Sequence, residues 1–290
     1  MRKLGLSLGG GGGKGSAHLG VLHALEGLDL QFDTISGTSI GAIVGALTAA
    51  GYRAAAIEQA FRGTTLRSIL GFDPARWGLI GSDKLAEALY ELLGDRKIEE
   101  LPVRYAAVAV DLVTGREMVL DHGSLVEAAL ASAAVPGIFP PRRVGEYILA
   151  DGGICNNVPV DVARRLGAER VVAVNLIGAF AEFNVADPQQ ASLLSLRRWA
   201  PLTQLELAER AIGLMVEQLT VFRLRESPPD LLLTPDVSSI SMADLNHLDD
   251  GIQAGVTAVA PYADELDALR RWRLGEAVGL KGADQTIANR

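Results

Sequence analysis

Ser39 stands between two glycines in Gly37-Thr38-Ser39-Ile40-Gly41. The strand-like segment Phe32-Asp33-Thr34-Ile35-Ser36 precedes it, and an apolar, alanine-rich stretch from Ile40 to Ala50 follows. A Gly-x-Ser-x-Gly run at a strand-to-helix turn is the layout of a nucleophile elbow. The turn is sharp, so only small residues fit where the chain crosses itself. The serine is pushed out at a helix N-terminus, where the dipole favours developing negative charge. The chemistry this predicts is attack by a hydroxyl on an electrophilic carbon. The same pattern occurs at Gly5-Leu6-Ser7-Leu8-Gly9, but glycines rather than a helix follow it. There Leu4, Leu6 and Leu8 alternate with small residues, which reads as a strand. Ser39 is the candidate nucleophile and Ser7 a strand residue.

A second feature is the glycine run Gly9 to Gly13, continued by Lys14 and Gly15. It has two readings. Gly10-x-Gly12-x-x-Gly15 follows a strand and opens a helix, with Asp33 further on, which is the context of a dinucleotide fingerprint. Alternatively, the bare backbone N–H groups surround an oxyanion, helped by the following helix N-terminus. A serine elbow has no role in the first reading and is required by the second. A P-loop fits neither end: Leu8 and Gly15 stand where glycine and Ser/Thr are needed.

The serine also needs a base. The four histidines are His18, His23, His122 and His247. His247 completes a Ser, Asp, His order with Ser39 and Asp151, but an α/β-hydrolase elbow follows several strands rather than two. Asp151, in Asp151-Gly152-Gly153 at a strand end, is the other candidate. An ordinary aspartate is a weak base, and desolvation beside an apolar pocket would raise its pKa.

The elements that must position these groups alternate. Strands are predicted at residues 3–9, 32–36, 105–110, 117–120, 147–150, 170–176 and 231–234. Helices are predicted at 16–28, 40–50, 53–62, 83–93, 125–134, 160–166, 202–219 and 251–272. This alternation predicts an α/β fold, a three-layer sandwich with a largely parallel central sheet. It reads as one domain over residues 1–275, with 276–290 a flexible tail. The apolar loop from Ile69 to Ile80 and the helix near Leu202 to Leu219 are expected to flank the site. Phe72, Trp77, Leu79 and Ile80 are candidates either for contact with an apolar partner or for core under a long loop.

The chain has 290 residues, 49% of them hydrophobic and 21% charged, enough for a sizeable core. Its net charge of −8 argues against nucleic acid as a partner, because phosphate binding needs a basic face. The single cysteine, Cys155, excludes an intrachain disulfide and is expected to be a small buried residue. No segment reaches the roughly 20 apolar residues of a membrane span, and the glycines and Lys14 break any signal-peptide core. A cytoplasmic protein with at most peripheral membrane contact is expected; oligomeric state is not specified.

Taken in order, Gly10-Gly11-Gly12-Gly13-Lys14-Gly15, Gly37-Thr38-Ser39-Ile40-Gly41 and Asp151-Gly152-Gly153 resemble the patatin-like phospholipase family. Ala131-Ser132-Ala133-Ala134-Val135-Pro136-Gly137-Ile138-Phe139-Pro140-Pro141 resembles the family segment that leads to its Asp-Gly-Gly. Leu233-Thr234-Pro235-Asp236-Val237 is similar to its late strand. The resemblance covers roughly residues 4–180 well. It implies a Ser-Asp dyad with Ser39 as nucleophile and Asp151 as base. It further implies an oxyanion hole from Gly11, Gly12 and Gly13, with Lys14 at the family's basic position. The implied substrates are phospholipid, lysophospholipid or acylglycerol esters, cleaved without metal or other cofactor. Acyl transfer to an alcohol through the same acyl-enzyme is the alternative outcome.

Overall fold

The structure, a computed structural model, describes residues 2–63, 81–177, 204–240 and 247–276. Short apolar runs form its strands: β1 (Leu4–Leu8), β2 (Thr34–Thr38), β3 (Arg104–Asp111), β4 (Glu117–Leu120), β5 (Arg142–Val144), β6 (Tyr147–Asp151), β7 (Arg170–Val174) and β8 (Leu231–Leu233). Among the described residues they make one sheet of order β5-β6-β3-β2-β1-β7-β8, with β4 also on β3. The five-strand run from β3 to β8 is parallel. β4 and β6 join β3 antiparallel, and β5 pairs antiparallel with β6. The expected largely parallel sheet is thus extended on one side by an antiparallel edge.

The helices are α1 (Ser16–Gly27), α2 (Ile40–Ala49), α3 (Ala54–Arg62), α4 (Gly81–Leu93), α5 (Leu125–Ser132), α6 (Val160–Arg165), α7 (Gln204–Glu226), α8 (Leu248–Val259) and α9 (Ala263–Arg273). The central strands are buried on both faces, as a parallel sheet covered on both sides requires. Period-two alternation then sorts the core. Val172 and Val174 join the large cluster under α1, α2 and α5, while Val171 and Ala173 face Val160, Ala163 and Leu224 of α6 and α7. This is the three-layer arrangement.

Two readings from sequence need correction. The last helical stretch is not continuous: Pro261 lies in a 3₁₀ turn, Ala260–Tyr262, that separates α8 from α9. Proline lacks the N–H an α-helix would use there and clashes with the preceding turn. The long helix extends beyond Leu219 to Glu226. β5 has no counterpart among the expected strands.

The far end of the sheet is closed by charge. Asp33, just before β2, accepts the Leu4 N–H at 2.9 Å and binds Arg273 of α9 through two contacts of 2.9 Å. Trp272 lies against the guanidinium groups of Arg2 and Arg170, 5.4 and 5.0 Å from the ring centroid.

Candidate active site

The site forms where β1 and β2 end. In a parallel sheet the carboxyl ends of strands are where ligands bind. Leu8 pairs with Gly37, so the glycine loop after β1 and the elbow after β2 leave the sheet side by side. The crossing is tight. A methyl group on Gly41 would lie 2.2 Å from the Leu8 carbonyl oxygen, and one on Gly37 would lie 2.4 Å from the Gly41 carbonyl oxygen. Hydrogen is the only substituent that fits at either flank of the elbow.

Ser39 itself has φ 56° and ψ −126°, a conformation that costs a non-glycine residue on the order of 1–3 kcal/mol. It caps α2, where its carbonyl accepts the N–H groups of Ala42 and Ile43. Its own N–H donates to Ser132 Oγ at 2.9 Å, and the Ser132 hydroxyl donates to the Val108 carbonyl at 2.5 Å. Ser132 is fully buried. It therefore ties the strained nucleophile to β3, and it takes the Ser39 N–H away from any ligand.

Asp151 arrives from the antiparallel side. Its N–H donates to Ala134 O at 2.9 Å, within the alanine- and proline-rich segment. Gly152 then passes against β3: a methyl there would lie 2.3 Å from the Val108 carbonyl oxygen. The segment that follows is fastened to β2 by a row of hydroxyls with strand spacing. Ser36 donates to Pro159 O and Thr38 to Asn156 O, each at 2.8 Å. These contacts bring the Asp-Gly-Gly turn to the strand that carries Ser39.

Ser39 and Asp151 are both buried, at 7% and 6% exposure. Asp151 Oδ1 accepts the Gly153 N–H at 2.7 Å. Burial pushes its carboxyl up to about 6, against the opposing pull of the Ser39 hydroxyl and the Gly153 N–H. The hydroxyl is thus near enough to favour the carboxylate, yet Oδ2 has no partner in full hydrogen-bond geometry. Loose geometry of this kind is common before a substrate tightens a site.

The glycine loop enters a 3₁₀ turn, Gly12–Gly15, that runs into α1. The Gly10 N–H donates to Asn157 O and the Lys14 N–H to Gly11 O. The N–H groups of Gly11, Gly12 and Gly13 open the turn, where a helix has no internal acceptor for them. A methyl on Gly15 would meet Ile40 Cγ1 at 2.2 Å, which fixes the loop against the residue after Ser39. Lys14 is half-buried; burial lowers its pKa, against the attraction of Glu217 on α7.

The histidines are otherwise employed. His18 is fully buried, and its Nε2 donates to Gly9 O at 2.7 Å. Burial pushes it down to about 4, so it is neutral at ordinary pH. His23 meets Glu58, His122 meets Asp121, and His247 meets Asp250 at the start of α8. Asp33 is held by Arg273 beyond the opposite end of β1, which removes it from any ribose-binding role at the glycine loop. Cys155 is half-buried rather than enclosed, and burial pushes its thiol up to about 12.

α7 spans the site. Arg223 donates to Cys155 O at 3.1 Å and to Glu117 at 2.6 Å, at the Asp-Gly-Gly end. Glu217 faces Lys14 at the other. Ile212, Met215 and Phe222 on this helix are exposed, as is Ile154 in the turn after Asp151. Phe72, Trp77, Leu79 and Ile80 lie outside the described residues.

A sequence profile of the patatin-like phospholipases matches residues 6–164, which contain the glycine loop, the elbow and the Asp-Gly-Gly turn. The chain belongs to the patatin-like phospholipase family. Within this family it is 37% identical over 182 residues to an uncharacterised NTE family protein of Mycobacterium tuberculosis, covering 62% of this chain and 50% of that protein. It is 32% identical over 269 residues to the mouse patatin-like phospholipase domain-containing protein 7, covering 86% of this chain and 20% of that one. The patatin-like chain thus spans half or less of the length of these relatives. Among solved structures it is similar to VipD from Legionella pneumophila, with a TM-score of 0.48 and 15% identity over 91% of this chain and 67% of that one. Among the described residues no helix is long and apolar enough to cross a membrane, and no cluster of His, Cys, Asp and Glu is set to hold a metal ion.

Proposed function

We propose that this chain is a serine acyl hydrolase that cleaves carboxylic esters of phospholipids, lysophospholipids or acylglycerols with a Ser39–Asp151 dyad. The observation that carries the reading is the buried Asp151 carboxyl beside the Ser39 hydroxyl, with Oδ2 unpaired and the pKa raised to about 6. In the cycle, Ser39 Oγ attacks the ester carbon while its proton passes to Asp151. The carbonyl electron pair moves to oxygen, where the N–H groups of Gly11, Gly12 and Gly13 hold it; one such donor is worth on the order of 10²–10³ in rate. Collapse expels the alcohol, which takes the proton from Asp151 and leaves Ser39 acylated. Water then attacks the acyl carbon, gives its proton to Asp151 and releases the acid, and Asp151 returns the proton to Ser39.

A fluorophosphonate probe tests this. One adduct per chain is expected, mapping to Ser39. Asp151 accepts the proton only when ionised, so labelling should rise with pH through about 6 and level off above it. Below that value it should fall about tenfold per unit. Adducts elsewhere, or a rate flat between pH 5 and 8, would sink the dyad.

We further propose a cytoplasmic protein with peripheral contact to lipid through α7. Met215 is 62% and Phe222 56% exposed, which favours an apolar partner over water. Met215→Ser with Phe222→Ser should reduce co-sedimentation with phosphatidylcholine vesicles several-fold and leave labelling in detergent unchanged. Equal sedimentation of variant and parent would remove α7 from lipid contact.

A further inference from the structure

Asn157 follows the Asp-Gly-Gly turn and is only 3% exposed. Its backbone carbonyl accepts the Gly10 N–H at 3.1 Å, so this residue is joined to the glycine loop whatever side chain it carries. The carboxamide oxygen lies close to both the glycine loop and the Asp-Gly-Gly turn. A methyl group on Gly10 would stand 2.6 Å from Asn157 Oδ1 and 3.2 Å from Ser39 Cβ. One on Gly153 would stand 3.0 Å from Asp151 Oδ1 and 3.2 Å from Asn157 Oδ1. Asn157 is therefore a neighbour of both members of the dyad.

Two atoms of these groups have no hydrogen-bond partner among the described residues: Asn157 Nδ2 and Asp151 Oδ2. Both are buried. One can only donate, and the other, when ionised, can only accept. Leaving a buried polar group unmatched costs about 1–3 kcal/mol, so each of these atoms calls for a partner, and a single small molecule could serve both. The molecule must accept one hydrogen bond and donate another at the same time. A carbonyl oxygen or an oxyanion accepts only. A hydroxyl does both.

We propose that Asn157 binds the acyl acceptor of the second half-reaction, the water of hydrolysis or an alcohol in its place. The inference rests on the Ser39–Asp151 reading and adds the group that positions the second nucleophile. The Asn157 N–H holds the hydroxyl by its oxygen while the O–H proton points at Asp151. The oxygen forms its bond to the acyl carbon, the proton passes to Asp151 Oδ2, the bond from that carbon to Ser39 Oγ breaks, and Asp151 returns the proton to Oγ. In the first half-reaction with an activated ester, Ser39 brings its own hydroxyl and p-nitrophenolate leaves without a proton, so this donor is not needed there. The two half-reactions therefore depend on Asn157 unequally.

The test is Asn157→Leu, close in shape and without the donor. With p-nitrophenyl butyrate, the variant should release a burst near one p-nitrophenolate per active site, then turn over at least about tenfold more slowly than the parent. Intact mass should show a butyryl adduct on Ser39, and fluorophosphonate labelling should stay within a few-fold of the parent rate. Asn157→Ala serves the same comparison if leucine overfills the site. Labelling and turnover falling together without an adduct would overturn the acceptor role, as would unchanged turnover. If the parent protein itself fails to label at Ser39, the dyad reading falls first and this inference with it.

Discussion

Asp151→Asn is expected to abolish turnover and at the same time to stabilise the fold. The first effect follows from the proposed chemistry: the amide cannot take the Ser39 proton, and among the described residues none of the hydrogen bonds around Ser39 offers another base. A loss of at least about 10⁴-fold in kcat is expected, on the scale found when an acid–base partner of a serine nucleophile is removed. The second effect follows from linkage. The folded-state pKa of about 6 lies above the ordinary 3.8, so burial disfavours the ionised form. The stability that the proton contributes is complete below 3.8 and is lost as pH rises through about 6. Above that, the native state holds an ion it solvates poorly. Asparagine has the same shape, keeps an oxygen for the Gly153 N–H and cannot ionise. Its advantage at pH 8 should be about 1–3 kcal/mol, a rise of a few degrees in Tm, and should vanish near pH 4. Melting curves at the two pH values beside ester turnover check this. A variant that melts lower at pH 8, or that keeps a tenth of the activity, contradicts it.

Gly41→Ala should be far more damaging than its one added methyl suggests. That methyl would sit 2.2 Å from Leu8 O and 2.6 Å from Gly9 O. Neither oxygen is free to retreat: Leu8 is paired on one side with Gly37 and on the other with Val174, and Gly9 O is held by the buried His18 ring. The elbow would have to lift from the sheet, at about 3 kcal/mol or more. Gly27→Ala is the control: it lies at the end of α1, and a methyl there meets nothing within 4 Å. That change should be neutral or stabilising by up to about 1 kcal/mol. Urea midpoints measure both. Similar midpoints for the two variants would mean that the crossing is looser than its geometry states.

The elements that position the site were legible because each carries a local signal. β1 and β7 are short apolar runs, and α2 is an apolar, alanine-rich stretch after a Gly-flanked serine. β5 carries none: Arg142-Arg143-Val144 follows two prolines and becomes a strand only because β6 lies beside it. Ser39 and Asp151 could be named from their flanking glycines, but their meeting is a property of the sheet order and of the hydroxyl row on β2. Ser132 and Asn157 were hidden for the same reason. A serine in an alanine-rich helix looks like any other until its hydroxyl meets an N–H 93 residues away. Asn157 looks like loop polarity until its amide proves to be buried and unmatched.

Ser39 rides on β2, inside the parallel half of the sheet, whereas Asp151 comes in on β6, which joins only by pairing with β3 from the other direction. On the ribosome the hydroxyl therefore emerges long before the carboxylate has been translated. On the proposed dyad, a half-made copy carries the nucleophile without its base. The proposed pair is complete only once synthesis has passed the Asp-Gly-Gly turn and the antiparallel edge has docked.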